Sequence, residues 1–353
     1  MFESKDLNDR TEIIRMKKIL VTGGAGFIGS HTVVELYNAG YEPILIDNFD
    51  NSSPTALEGI KNITGQDFKF YKADCNDPEI FHQIFKENKI DGIIHFAANK
   101  AVGESVKDPL KYYHNNLNSL VNLLKAMLER EVNNLVFSSS CTVYGQPDTL
   151  PVTEDAPVKL AESPYGNTKQ ISEEIIKDTC ISQSHLRAIS LRYFNPIGAH
   201  PSAEIGELPI GVPGNLVPFI TQTAVGIREK LSVFGNDYNT SDGSCVRDYI
   251  HVVDLAKAHV KAFELLSQKN SGHYDFFNLG TGTGSTVLEV VKSFEKVSAK
   301  SLNYFIAPRR AGDVEKVYAA VDKSANVLGW KTELSLERAL EDAWRWQLKL
   351  QNK

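Results

Sequence analysis

Lys18-Ile19-Leu20-Val21-Thr22-Gly23-Gly24-Ala25-Gly26-Phe27-Ile28-Gly29 is the stretch that decides the fold. Its first five residues form a short apolar run rich in β-branched side chains and read as a buried strand. Beyond the glycines, Ile28, Val33, Val34 and Leu36 return at roughly helical spacing, so a helix opens directly from the turn. A strand, a glycine turn and a helix N-terminus make a cradle for a dinucleotide. The glycines let the backbone approach a pyrophosphate, and the helix end offers it free N–H groups and a positive dipole. A second apolar run, Glu42 to Ile46, ends on Asp47, near the offset at which a carboxylate accepts hydrogen bonds from an adenosine ribose. Its charge would repel a 2′-phosphate, so the expected cofactor is NAD rather than NADP. A lone glycine pattern is common in ordinary turns; the flanking strand, helix and Asp47 make this one specific.

Working outward, strand-like runs recur between helical segments. Phe68 to Tyr71, Ile90 to Phe96, Asn134 to Ser138 and Ala188 to Tyr193 each end in small or polar residues, as strand C-termini bordering a ligand crevice should. Pro78 to Glu87 and Leu117 to Arg130 carry helical patterning. The alternation predicts an α/β protein: a doubly wound parallel-sheet Rossmann domain with a smaller C-terminal substrate-binding domain. The expected division is an arm over 1–16, a dinucleotide-binding domain over 17–196 rejoined by about 247–285, and a substrate domain made mainly of 197–353. Pro and Gly crowd residues 198–218, which reads as a long functional loop or an interdomain crossing. A final amphipathic helix is expected near Leu336 to Leu348.

Composition narrows the class. The 353 residues are 42% hydrophobic and 23% charged with a net charge of −6, which suits a globular enzyme and argues against a general nucleic-acid binder. No apolar run is long enough to span a bilayer, so no membrane partner is expected. Met1 to Arg15 mixes Glu3, Asp6, Asp9 and Glu12 with basic residues, unlike a secretory signal or an acid-poor transit peptide. Met16 is a candidate alternative start. Cys75, Cys141, Cys180 and Cys245 lack metal-ligand spacing, so no metal is expected and reduced cytoplasmic thiols are the simplest account.

Ser163-Pro164 is a helix-start signature, and on the helix that follows Tyr165 and Lys169 lie four apart on one face. A tyrosine hydroxyl ordinarily titrates near ~10, too high for a base at neutral pH. A neighbouring ammonium and a cationic nicotinamide ring both favour the phenolate. Ser140, at the end of a preceding strand, is placed to bridge Tyr165 and a substrate hydroxyl.

The combination Gly23-x-x-Gly26-x-x-Gly29, Ser140 and Tyr165-x-x-x-Lys169 resembles the extended short-chain dehydrogenase/reductase superfamily. Ala101 to Ser105, Ser138 to Gly145, Arg192-Tyr193-Phe194-Asn195-Pro196, Arg247 to Val252 and Arg309-Arg310-Ala311-Gly312-Asp313 narrow the resemblance to the UDP-glucose 4-epimerases, from about Lys17 nearly to the C-terminus. What it implies is interconversion of UDP-galactose and UDP-glucose by oxidation at C4, rotation of the 4-keto sugar and re-reduction, with NAD kept bound. Ser140, Tyr165 and Lys169 are the implied catalytic residues. The implied NAD contacts are Gly23, Gly26, Phe27, Ile28, Gly29, Asp47, Asn48, Asp74, Phe96, Ala97, Lys100, Asn115, Tyr165, Lys169 and Tyr193. The implied UDP-hexose contacts are Ser140, Tyr165, Asn195, Asn215, Leu216, Phe234, Arg247, Tyr249, Arg310, Asp313 and Val317. Two arginines suit a diphosphate because the guanidinium fork donates to it bidentately. Val317 falls where the family varies in size at the sugar end; valine there leaves room for a 2-acetamido group, which makes UDP-GlcNAc and UDP-GalNAc candidate further substrates, the alternative being that Val317 is core packing and the pocket is narrowed elsewhere. A homodimer built from 117–130 and 162–182 is also implied. Cys141 and Asn99 depart from the usual alanine and leucine. The related 4,6-dehydratases place an Asp-Glu pair where this chain has Cys141 and Thr142, which disfavours dehydration.

Overall fold

In the computed structural model residues 15–310 and 314–352 are described, so most of the expected N-terminal arm and Asp313 lie outside the described residues. Strand β1 (Lys18–Thr22) leads through the glycine turn into α1 (Phe27–Asn38), β2 (Glu42–Asp47), α2 (Thr55–Thr64) and β3 (Phe70–Lys72). Next come α3 (Pro78–Glu87), β4 (Gly92–His95), α4 (Val102–Lys107), α5 (Pro109–Glu129), β5 (Asn134–Ser138), α6 (Pro164–Ser182) and β6 (Arg187–Tyr193). The remainder supplies β7 (Asn195–Ile197), α7 (Leu216–Ala224), β8 (Leu231–Phe234), β9 (Val246–Arg247), β10 (Tyr249–His251), α8 (Val252–Ser267) and β11 (His273–Leu279). It closes with β12 (Ser285–Thr286), α9 (Val287–Ser298), β13 (Tyr304–Ala307), β14 (Lys316–Val317), α10 (Asp322–Asn326) and α11 (Leu336–Gln351).

Among the described residues, seven strands form one parallel sheet in the order β3-β2-β1-β4-β5-β6-β11. The order reverses between β1 and β4, and such a reversal opens a crevice at the strands' C-terminal ends. Both faces of the sheet are covered, and alternate residues of one strand feed opposite cores. Ile19 and Val21 join the core under α1 and α8, whereas Leu20 joins the core under α3 and α5. This two-sided burial explains why the strands read as unbroken apolar runs rather than alternating ones.

The helix read over 117–130 begins earlier, at Pro109. Asp108 caps it by accepting the Lys111 N–H at 3.2 Å, and Pro109 occupies the first turn. Its first two turns carry Lys111, His114, Asn115 and Asn116, which hid them from a hydrophobic-period reading. The Pro/Gly-rich stretch is irregular as far as Asn215, and its last residues open α7. Beyond it lies a second apolar cluster around Ile220, Val233, Phe294, Leu340 and Trp344, joining α7, β8, α9 and α11.

Three histidines are locked inside the sheet and its helices. His31 and His259 turn their Nδ1 to helical carbonyls, Phe27 at 2.7 Å and Leu255 at 2.8 Å, so each must donate there. His95 Nδ1 lies 2.7 Å from the Thr22 hydroxyl. Burial pushes His31 and His95 down to about 3 and His259 to about 4, from an ordinary 6.5. All three are therefore neutral when folded at any pH above about 4, whereas the unfolded chain protonates them below 6.5. Their stabilisation is complete above pH 6.5 and lost as the pH falls toward 4, by about 2 kcal/mol per histidine at pH 5. Urea denaturation at pH 7 and pH 5 should show a clearly lower midpoint at pH 5; equal midpoints would refute the neutral-histidine account.

Candidate active site

At the C-terminal edge of the sheet, the glycine turn is shaped by contact rather than by flexibility alone. A Cβ on Gly29 would meet the Gly23 carbonyl oxygen at 2.1 Å, so α1 can start this close to β1 only without a side chain there. Gly23 has φ +68°, and a Cβ on it would meet the Ala97 nitrogen at 2.9 Å. The first turn of α1 thus opens onto a groove with its backbone N–H groups unused by the helix. Gly23, Gly26, Phe27, Ile28, Gly29, Asp47, Asn48, Asp74, Phe96, Ala97, Lys100, Asn115, Tyr165, Lys169 and Tyr193 all line this groove.

Asp47 is buried at the end of β2 and held by three donors. Its Oδ2 accepts the Ala25 N–H at 3.0 Å; its Oδ1 accepts the Phe49 N–H at 2.9 Å and the Ser52 hydroxyl at 2.7 Å. The carboxylate is thereby fixed at the groove wall with lone pairs to spare for ligand hydroxyls. Ser52 and Asp50 also line the groove, and the sequence reading missed both. Across it, Asp74 Oδ1 accepts from the Asn76 amide at 2.9 Å, and Asn76 donates to Asn115 Oδ1 at 2.9 Å. The glycine cradle, the fixed acceptor and the helix N-terminus fit a dinucleotide. Among the described residues no group of three or more His, Cys, Asp or Glu is arranged to hold a metal ion.

Helix α6 delivers Tyr165 and Lys169, the pair expected to be reactive. Ser163 caps it, accepting the Gly166 N–H at 3.2 Å, with Pro164 in the first turn. Tyr165 and Lys169 are both buried against the groove. Lys169 Nζ donates to the Ser138 carbonyl at 2.7 Å and lies 5.9 Å from the Tyr165 ring centroid. Burial pulls Lys169 down to about 8, opposed by the Glu173 carboxylate. Burial pushes Tyr165 well above its ordinary value; Tyr193 adds to this, and a hydrogen bond with Ser140 pulls the other way. Ser140 also caps the short turn Cys141–Tyr144 through the Thr142 N–H at 3.2 Å. Cys141, next to it, is pushed up to about 12 by burial, so its thiol is no nucleophile at neutral pH.

Two polar hubs missed from sequence hold this pair in place. Asn116 Nδ2 donates to the Thr168 hydroxyl at 3.1 Å and to the Asn99 carbonyl at 3.0 Å, while its Oδ1 accepts the Asn99 N–H at 2.8 Å. It therefore ties α5, the loop after β4 and α6 together. Glu173, one turn beyond Lys169, accepts from Ser139 at 2.5 Å and from Arg192 in a fork, Nε–Oε1 at 3.0 Å and Nη2–Oε2 at 2.5 Å. The Arg192 guanidinium lies 3.9 Å from the Phe276 ring centroid and 4.8 Å from that of Tyr144. An arginine inside the apolar run 188–193 was the available signal, since a charge there demands a buried partner.

The other expected site residues sit on short elements outside the main sheet. Register sets Tyr249 beside Asn195 in the β10–β7 pair and Val317 beside Arg247 in the β14–β9 pair. The Arg310 guanidinium lies 5.4 Å from the Phe234 ring centroid. Arg247 acts on the Cys141 thiol electrostatically, and Val317 packs on the cluster of Val143, Tyr144 and Phe194 that Cys141 also joins. These two residues therefore adjoin the Ser140 turn. Asn215 stands before α7 and donates to Glu207 Oε1 at 2.6 Å, and Leu216 is the helix's first residue. Asp248, next to Arg247, accepts from the Thr281, Gly282 and Ala319 N–H groups.

Comparison with known proteins agrees with this architecture. A family model described as GDP-mannose 4,6 dehydratase matches residues 20–343. A Bacillus subtilis UDP-glucose 4-epimerase is 55% identical over 329 residues, covering 93% of this chain and 96% of that protein. The crystal structure of the Bifidobacterium longum UDP-glucose 4-epimerase in complex with NAD+ and UDP superposes with a TM-score of 0.91 at 47% identity, covering 95% of this chain and 99% of that one. The UDP-Glc/GlcNAc 4-epimerase of Campylobacter jejuni superposes with a TM-score of 0.81 at 36% identity, covering 94% and 99%. By sequence and by structure, the chain belongs to the UDP-glucose 4-epimerases, within the wider family that the dehydratase model describes.

Proposed function

We propose that this chain is an isomerase that interconverts UDP-galactose and UDP-glucose at C4, using NAD that stays bound through the cycle. The observation that carries the reading is the meeting of a glycine-cradled dinucleotide groove with a buried Tyr165–Lys169 pair at one strand-end crevice. NAD, when bound, accepts the C4 hydride and returns it to the other face of the sugar. Tyr165 takes the proton from the 4-hydroxyl and gives it back, and Ser140, whose hydroxyl acts on the phenol, orients the transfer. Lys169, pinned by the Ser138 carbonyl, keeps a cation beside the phenol. Asp47, Asp74, Lys100 and Asn115 anchor the dinucleotide, which suits a cofactor that must not leave between half-reactions. Arg247 and Arg310 hold the sugar nucleotide's diphosphate while the hexose turns, with Phe234 and Tyr249 beside the base and Asn195, Asn215 and Leu216 completing the pocket. Asp313 belongs to this proposed set by resemblance.

The same reading assigns a dinucleotide-binding domain to 17–196, rejoined by about 247–285, and sugar-nucleotide binding mainly to 197–353. It pairs two copies through α5 and α6, which pack side by side on one face of the sheet. The four cysteines are free thiols, which supports a reducing, cytoplasmic setting. No described helix is long and apolar enough to cross a membrane. Val317, adjoining the Ser140 turn, supports the wider substrate range that includes UDP-GlcNAc and UDP-GalNAc.

An NMR time course on purified protein with UDP-galactose and no added NAD should show UDP-glucose accumulating to an equilibrium mixture. In that assay Tyr165→Phe should lower kcat by about 10³-fold while bound NAD stays at the parental level; near-parental turnover would remove Tyr165 from its role. Lys169→Met removes the cation that favours the phenolate, so the acidic limb of the kcat–pH profile should move about one to two units toward alkaline pH. An unmoved limb would leave Lys169 no part in tuning the base. Val317→Tyr should abolish turnover of UDP-GlcNAc and keep that of UDP-galactose; parental turnover of both sugars would place the size filter elsewhere.

A further inference from the structure

Between the dinucleotide groove and α7 stands a carboxylate that neither half of the site accounts for. Glu207 lies in the irregular stretch after β7, with its side chain 9% exposed. A single oxygen, Oε1, meets two site residues from opposite sides. It pairs with the Lys100 ammonium at 3.5 Å and accepts the Asn215 amide at 2.6 Å. Lys100 lines the dinucleotide groove, whereas Asn215 opens α7 on the sugar-nucleotide side. The other oxygen, Oε2, is buried and meets no hydrogen-bond donor among the described residues.

The backbone at this point is clamped from outside the cleft. Trp346 on α11 donates its indole N–H to the Glu207 carbonyl at 2.9 Å. A Cβ on the preceding Gly206 would meet the Trp346 ring at 2.5 Å, so the loop lies flat on the indole. Lys349, one turn further along α11, pairs with Glu204 on the same loop. A loop fixed in this way holds its carboxylate at a set height in the cleft.

We propose that Glu207 is a positioning residue that couples the two halves of the site. Its charge draws Lys100 toward the sugar-nucleotide side, and its Oε1 orients Asn215 at the start of α7. Both contacts share one oxygen, so a change in the Lys100 contact alters the acceptor that Asn215 sees. Binding in the dinucleotide groove is thereby felt where the sugar nucleotide binds. This coupling rests on the proposed epimerase reading, in which Lys100 and Asn215 serve different ligands.

A double-mutant cycle on the NAD-bound protein tests it, with UDP as the probe and its Kd read by titration calorimetry. Glu207→Gln keeps an acceptor for Asn215 and removes only the charge that attracts Lys100. Lys100→Met alone should weaken UDP about threefold, and in the Glu207→Gln background its effect should shrink to less than about 1.5-fold, because neighbours that act together are not additive. Lys100→Arg, which keeps the cation, should retain parental UDP affinity. Every variant is brought to the parental NAD content, quantified after denaturation, before UDP is titrated, which separates coupling from simple loss of cofactor. An unchanged UDP affinity in Lys100→Met, or an equal loss in both backgrounds, overturns the coupling. A parent protein that fails to epimerise UDP-galactose overturns the functional reading and the coupling with it; a parent that epimerises but gives an additive cycle overturns the coupling alone.

Discussion

The contact between Gly29 and the carbonyl of Gly23 sets the geometry on which everything else depends. With 2.1 Å available to a Cβ, no other residue lets α1 begin this close to the end of β1. That closeness aims the first N–H groups of α1 into the strand-end crevice and brings Ala25 within reach of Asp47. The groove wall is therefore built from backbone, which cannot rotate away as a side chain can. A helix set further out would leave the same residues in the sequence and no site for a diphosphate.

The reactive helix is held by polar ties rather than by apolar packing alone. Asn116 fixes it near Thr168, the Ser138 carbonyl fixes Lys169, and the Glu173–Arg192 fork with Ser139 fixes it one turn later. Buried ion pairs contribute little net stability, because desolvation offsets their attraction. What this one does contribute is a defined position, since a guanidinium fork accepts a carboxylate in few geometries. The Arg192 plane between Tyr144 and Phe276 narrows the choice further. Several directional ties along one face keep the phenol of Tyr165 from drifting along the groove.

Six of the seven strands of the main sheet were legible in the sequence as apolar runs that end in small or polar residues, whereas β11, which opens on the polar and part-exposed His273 and Asp275, was not. Topology pointed to the glycine turn and Asp47, whereas Lys100, Asn115 and most other groove residues were named only through the family resemblance. The first turns of α5 were not legible: Asn115, Asn116 and Asn118 have no apolar period, and their worth lies in partners such as Thr168, which is distant in sequence. The two-residue strands β9, β12 and β14 are too short to show any period. Val317 beside Arg247 is a fact of register that exists only once the chain has closed on itself. Glu207 escaped for the same reason, being a single acid in a Pro/Gly-rich stretch whose Lys100 partner lies far upstream.

Burial moves Tyr165 and Lys169 in opposite directions, and each shift disfavours the charged form that the proposed proton transfer requires. Tyr165 is held well above its ordinary value as a neutral phenol, and Lys169 is brought down to about 8. On their own, then, these side chains make a poor base at neutral pH. In the proposed reaction, a cationic ring bound in the groove would supply the missing field, because opposite charge in a buried site favours the phenolate. The same burial that idles the pair therefore makes it responsive to what occupies the groove. Proton removal is thus tied to the oxidised state of the cofactor, the state in which a hydride can also be accepted. In that reading, the residues that line the groove would couple the two transfers through the electrostatics of the site.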